Sequence, residues 1–175
     1  MAVLQLSESS KMSGNWKSKN WDSLISGESC PVCDLIRLDK QEDEHLIRIC
    51  DLTLSRLYLA KNQFVQGYCV LICHRHVIEP YELSSQERTS YFDDVALTAS
   101  VLQKVFTADK INYNILGNVV PHLHTHILPR YFTDRTPNRP IDPALKGHEV
   151  LLTASRYEDR IRSILDHIQM ERHSR

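Results

Sequence analysis

The sequence predicts an α+β domain in which a mainly antiparallel five-stranded sheet carries one long helix and a C-terminal helix. Two patterns predict it. Five short runs rich in branched and aromatic residues are each of strand length, whereas two longer stretches repeat their apolar residues every three or four positions. The size agrees: 175 residues, 42% hydrophobic and 25% charged, suffice for one domain with a real core.

The strands are LIRIC (46–50), RLYLAK (56–61), YCVLIC (68–73), INYNIL (111–116) and HLHTHIL (122–128). Between the third and fourth, LSSQERTSYFDDVALTASVLQKVF sets Phe92, Val95, Ala99, Leu102 and Phe106 on one helical face. Ser84 and Glu87, three residues apart, form a capping-box start. A second helix is expected over 155–170, with Tyr157, Ile161, Ile164, Leu165 and Ile168 on one side. The segment 131–147 holds three of the seven prolines and reads as an extended surface loop.

Residues 1–28 are polar and aperiodic, which predicts a flexible N-terminal arm followed by a single domain over 29–175. Trp16 and Trp21 are exceptions in that arm and predict that part of it docks on a surface. No segment approaches a membrane span and no leader pattern opens the chain, so a soluble, cytoplasmic protein with no membrane partner is expected. A formal net charge of −1 supplies no field for general nucleic-acid binding but leaves room for a small phosphorylated ligand. Five cysteines is an odd number, and Cys69 and Cys73 sit in an apolar run, so buried thiols in a reducing compartment are expected rather than a disulfide framework.

The stretch PHLHTHILPR places imidazoles at 122, 124 and 126. On a strand these three share a face at roughly 6.5 Å spacing, with Leu123, Thr125 and Ile127 toward the core. A polar strand that merely happens to use histidine is the plainest reading. Two chemical readings compete with it: convergence on a catalytic metal, or a central nucleophile flanked by helpers. Spacing alone does not choose between them. Upstream, SCPVCD spaces Cys30 and Cys33 as two ligands of a tetrahedral zinc need, although the same spacing serves redox pairs and ordinary buried thiols. His74 and His76 in CHRH are further ligand candidates.

The stretch GNVVPHLHTHILPR resembles the signature of the histidine-triad (HIT) family of nucleotide hydrolases and transferases, with Thr125 in a position usually apolar. The likeness extends through GYCVLICHRHVIEPYELS, the following helix and KINYNILGNVVP, or roughly residues 30–135. It implies a HIT-like fold and cleavage of a phosphoanhydride or phosphoramidate bond in a small nucleotide. By that resemblance His124 attacks phosphorus to form a nucleotidyl-histidine, His126 bonds the phosphoryl or bridging oxygen, and Asn118 donates to a phosphate oxygen. Zinc-binding branches of the superfamily, including bacterial members, imply a structural zinc on Cys30, Cys33, His76 and His122, with His76 preferred to His74 by its position.

The resemblance also implies a homodimer paired through the long helix and its neighbouring strand. It thins at LYLAKNQFVQGY, where nucleoside-binding members carry an acid for the ribose and this chain offers Lys61, Asn62 and Gln63. Two alternatives follow: a nucleotide-binding module without catalysis, and a metallohydrolase using all three triad histidines as ligands. Arg130 reads either as a phosphate-steering cation or as a strand-capping ion-pair partner.

Overall fold

The computed structural model describes residues 20–141 and 149–173. Two short helices open it, α1 (Trp21–Ile25) and α2 (Pro31–Arg37), followed by strands β1 (Leu46–Asp51), β2 (Ser55–Ala60) and β3 (Cys69–Cys73). A single 3₁₀ turn leads into the long helix α3 (Ser85–Phe106). Strands β4 (Lys110–Ile115) and β5 (His124–Arg130) and helix α4 (Ala154–His173) complete it. The five strands form one antiparallel sheet, as the sequence predicts, and the structure gives their order as β1-β2-β3-β5-β4.

Every residue of β2, β3 and β5 is buried, because both faces of the sheet centre are covered. That explains the unbroken apolar run CVLIC of β3, the central strand. On one face Leu57, Leu59, Leu71 and Ile127 pack with Tyr91, Leu102, Ile164 and Ile168 of α3 and α4. On the other face Tyr58, Ala60, Val70, Ile72 and Leu128 pack with Val32 and Leu35 of α2. His126 lies opposite Val70 and His124 opposite Ile72, which puts both rings on the α2 face.

Helix α3 begins where expected: the Ser84 side chain accepts from the Glu87 backbone, and the Glu87 carboxylate accepts from the Ser84 backbone. Its buried stripe is turned slightly from the expected one. Val95, Ala99, Leu102 and Phe106 are buried, but Phe92 is 42% exposed and Tyr91 is fully enclosed. The Tyr91 hydroxyl sits 2.8 Å from Thr125 Oγ1 of β5, a polar contact that an apolar pattern does not encode. Helix α4 runs as predicted, with Ile164 and Ile168 buried and Tyr157, Ile161 and Leu165 partly so. No described helix is long and apolar enough to cross a membrane.

Two expectations need correction. The arm expected through residue 28 is folded from α1 onward, with Leu24 buried; residues 1–19, including Trp16, lie outside the described residues. The fifth strand begins at His124, not His122, because Pro121 has no N–H to pair and the His122 N–H closes a tight turn onto the Val120 carbonyl at 2.9 Å. Of the proline-rich segment, 142–147 also lies outside the described residues. Gly67, in the turn before β3, is required: its φ is +79°, and a Cβ there would stand 2.5 Å from the Phe106 ring.

Candidate active site and metal centre

Helix α2 starts on the CxxC segment. Cys30 is its N-cap, Pro31 fills the first helical position where no N–H is needed, and Cys33 lies in the first turn. The cap-to-first-turn spacing brings both thiols to one side of the helix end. His76 arrives from the chain after β3, and His122 from the turn before β5.

The four ligand atoms Cys30 Sγ, Cys33 Sγ, His76 Nδ1 and His122 Nδ1 all lie within 4.8 Å of one another. His122 Nδ1 is 3.6 Å from Cys30 Sγ, 3.5 Å from Cys33 Sγ and 3.2 Å from His76 Nδ1, and His76 Nδ1 is 3.2 Å from Cys33 Sγ. Metal–sulfur bonds of about 2.3 Å and metal–nitrogen bonds of about 2.0 Å at tetrahedral angles require edges of about 3.5 Å for S–N and about 3.3 Å for N–N. Three S–N edges and the N–N edge of the cluster lie within about 0.3 Å of those lengths.

The far nitrogens fix the tautomers. His122 Nε2 donates to the Cys73 carbonyl and His76 Nε2 to the Ile25 carbonyl, each at 2.8 Å. Both Nδ1 atoms therefore turn lone pairs toward each other, an arrangement that a shared cation stabilises. Burial, with Cys30 alongside, pushes the Cys33 thiol up to about 12, and burial pushes His122 down to about 4, so without a cation the thiol and the imidazole stay neutral. Gly27, at φ +82°, lets the α1–α2 turn reach the His76 ring; a Cβ would meet it at 3.3 Å. His74 is turned away, with Nε2 3.2 Å from Asp51 Oδ1.

His124 and His126 form a separate pair, their rings perpendicular at 84° with centroids 4.9 Å apart. His124 Nδ1 donates to the His122 carbonyl at 2.6 Å, leaving the Nε2 lone pair free. His126 Nδ1 lies 2.7 Å from the Tyr68 hydroxyl. Burial lowers both imidazoles, His126 to about 3 with the neighbouring His124 adding to the effect, so both are neutral near pH 7. A neutral imidazole with one nitrogen tied to a carbonyl is a competent nucleophile at the other.

His124 also lines a small apolar cavity under α2, bounded by Pro31, Val32, Leu35, Leu46, Val70, Ile72 and Asp43. Asp43 is an acid that sequence reasoning did not place here. Its Oδ1 accepts from the His45 and Leu46 backbones at 2.7 Å each, holding the entry to β1.

Of the residues considered for the sugar, Gln63 is buried and spends its amide on the Ala60 and Tyr68 carbonyls and the Gly67 N–H. Asn62 accepts from Phe64 and Val150, and Lys61 pairs with Glu42. Asn118 stands exposed in the β4–β5 turn, and among the described residues no hydrogen bond joins it to the triad. Arg130 is buried and fully engaged with Asp134, Asn112 and the carbonyls of Thr136 and Arg139, which makes it the organiser of the following loop.

The sequence profile described as HIT domain matches residues 41–133, more than half of the chain. The chain belongs to the HIT family. Its curated relatives include the asymmetrical bis(5'-nucleosyl)-tetraphosphatase of Schizosaccharomyces pombe, 31% identical over 101 residues. That match covers 55% of this chain and 56% of the relative, so the chain spans little more than half of that protein's length. Protein hit of Bacillus subtilis is 28% identical over 116 residues, 59% of this chain and 72% of that one.

Among solved structures, a histidine triad protein from Bradyrhizobium japonicum superposes with a TM-score of 0.66 at 26% identity, covering 75% of this chain and 94% of that one. A Zn-bound histidine triad family protein from Mycobacterium smegmatis shares the fold at a TM-score of 0.60 and 18% identity, covering 85% of this chain and 99% of its own. Within this HIT domain, Tyr68 is the neighbour that sequence reading missed. Its signal was its place two residues before Val70 and four before Ile72, with the parity that faces the histidines.

Proposed function

We propose that this HIT protein is a nucleotide hydrolase or nucleotidyltransferase working through a nucleotidyl-histidine intermediate on His124. The observation that carries this reading is the hydrogen bond from His124 Nδ1 to the His122 carbonyl, which leaves a neutral, aimed Nε2. The Nε2 lone pair forms a bond to phosphorus while the bond from phosphorus to the leaving oxygen or nitrogen breaks, its electron pair departing with the leaving group. His126 hydrogen-bonds the phosphoryl or bridging oxygen as charge develops, and Asn118 donates to a phosphate oxygen. Water, or an acceptor hydroxyl, then attacks phosphorus and gives up its proton to solvent or the departed leaving group, while the phosphorus–nitrogen bond breaks and its electron pair returns to His124 Nε2.

Cys30, Cys33, His76 and His122 hold zinc in this reading. With four protein donors, a bound ion would supply a structural cross-link between α2, the segment after β3 and the turn before β5. The division of the triad argues against a metallohydrolase in which all three histidines share an ion: His122 belongs to the cysteine cluster, and His124 and His126 belong to neither that cluster nor any other metal-competent group among the described residues. The family likeness also supports a homodimer through α3 and β4, the latter at a sheet edge with Tyr113 exposed.

Relatives named as nucleotide hydrolases, among them a tetraphosphatase and the bis(5'-adenosyl)-triphosphatase of Saccharomyces cerevisiae (36% identical over 73 residues, 35% of that protein), direct the choice of substrates. Purified protein is incubated with labelled dinucleoside tetraphosphate, dinucleoside triphosphate and adenosine phosphoramidate, beside His124→Ala. Turnover lost in the variant, with a labelled adduct trapped on wild-type protein, supports the reading. Equal turnover in both proteins overturns the nucleophile, and tight nucleotide binding without product over long incubation replaces the enzyme with a binding module.

A further inference from the structure

The Tyr68 side chain is fully buried at the start of β3, with Phe64 edge-on at 5.6 Å and Val70 and Leu128 in the same apolar cluster. Among the described residues its hydroxyl has one hydrogen-bond partner, His126 Nδ1 at 2.7 Å. Two arrangements of the hydrogens satisfy that distance. If His126 carried its proton on Nδ1, the ring would donate to the phenol oxygen, and the phenol's own hydrogen would point into apolar surroundings with no acceptor. A buried donor left unpaired is costly, and the alternative has no such orphan. In it the phenol donates to Nδ1, and the ring proton sits on Nε2. Burial pushes the Tyr68 phenol well above its ordinary range, so the hydroxyl keeps the hydrogen it donates.

Neighbouring histidines of β5 are thereby held in opposite tautomers. His124 keeps its proton on Nδ1, against the His122 carbonyl, and offers a lone pair. His126 receives a hydrogen bond at Nδ1 and offers an N–H. The first suits attack on phosphorus, and the second suits a donor to an oxygen that gathers negative charge.

We propose that Tyr68 is a positioning residue that fixes His126 as the Nε2–H tautomer, so that His126 meets the substrate's phosphoryl or bridging oxygen as a hydrogen-bond donor. The tautomer stands on the geometry alone, and its use in catalysis rests on the function proposed above. Tyr68 acts through His126 and touches no reacting atom.

The deciding measurement needs no substrate. In the full chain labelled with ¹⁵N-histidine at pH 7, long-range ¹H–¹⁵N correlations report which nitrogen of each ring is protonated. The expected result is His126 protonated at Nε2 in the wild type, and a mixed or Nδ1-protonated His126 in Tyr68→Phe. His124 stays Nδ1-protonated in both, which verifies that the variant is folded. Wild-type His126 protonated at Nδ1, or an unchanged pattern in Tyr68→Phe, overturns the proposal. Should the variant lose its fold, the wild-type spectrum alone decides.

Steady-state kinetics on dinucleoside tetraphosphate then separate positioning from packing. Tyr68→Phe is expected to lower kcat about tenfold at unchanged KM, the size of one lost transition-state hydrogen bond. A raised KM at constant kcat overturns the catalytic use. A wild-type protein without turnover defeats the proposed function, while the tautomer of His126 is still decided by the spectra.

Discussion

His124 donates its Nδ1 hydrogen to the backbone carbonyl of His122 at 2.6 Å, so the side chain of one triad member is oriented by the main chain of another. The His122 ring is meanwhile anchored among Cys30, Cys33 and His76. In the function proposed above, the alternating histidines divide the labour between a metal-site ligand, a nucleophile and a donor. Replacing His124 by alanine removes the attacking nitrogen but no ligand and no anchoring bond of the cluster. The expected outcome is a fall in kcat of about a thousandfold or more with the thermal midpoint little changed. Parallel rate and melting measurements check it.

Acid should weaken the fold through Asp51. Burial works to raise this carboxyl, but hydrogen bonds from Arg56 and His74, with the Arg56 and Arg48 charges, outweigh it and hold the pKa at about 2 against an ordinary 3.8. A carboxylate with a depressed folded-state pKa stabilises fully above its unfolded value and loses that contribution as pH falls through the folded one. The contribution should therefore be present above about pH 4 and gone by about pH 2. Urea midpoints of the wild type and Asp51→Asn, compared across that window, should converge as pH drops.

Much of this arrangement could be read from residue order because each part carries a strong local signal. The strands announce themselves as apolar runs, α3 by its Ser84–Glu87 box, and the histidines by their strict alternation. Helices α1 and α2 could not be read: five and seven residues, burying Leu24 in one and Val32 and Leu35 in the other, are too short to show a period. Tyr91 and Phe92 differ by one helical step, and it is Tyr91 that turns inward, packed in the apolar cluster with its hydroxyl against Thr125 of β5. Tyr68 and Asp43 join the site through sheet pairing and the approach to β1, contacts between segments far apart in the chain.

Asp94 tests a second buried polar group that pattern reading passed over. It lies in the buried stripe of α3 and accepts from the Thr53 and Leu54 N–H groups and the Ser55 hydroxyl at 3.1, 2.8 and 2.7 Å. One carboxylate thus pins the β1–β2 turn to the helix. Alanine at this position leaves three donors without their acceptor, which should cost about 3 kcal/mol. Asn, which keeps one acceptor oxygen, should cost less. Denaturant titrations of Asp94→Ala and Asp94→Asn measure the difference, and hydrogen exchange at Thr53 and Leu54 should speed up in both.

Metal removal should slow catalysis although the proposed chemistry involves no metal-bound species. Without a cation the cluster holds two facing imidazole lone pairs 3.2 Å apart beside a neutral Cys33 thiol, so its members are expected to separate. The His122 backbone moves with its ring, and the carbonyl that fixes His124 moves with the backbone. Cys30→Ser should therefore lower zinc content from one per chain toward none and depress Tm by about 10 °C, the shift expected for roughly 3 kcal/mol in a domain of this size. It should also reduce kcat more than His74→Ala, a change to a histidine that faces Asp51 rather than the cluster. Elemental analysis, calorimetry and rate measurements on the two variants test each link, and full activity in a stably folded, zinc-free Cys30→Ser protein would break the chain between metal and nucleophile.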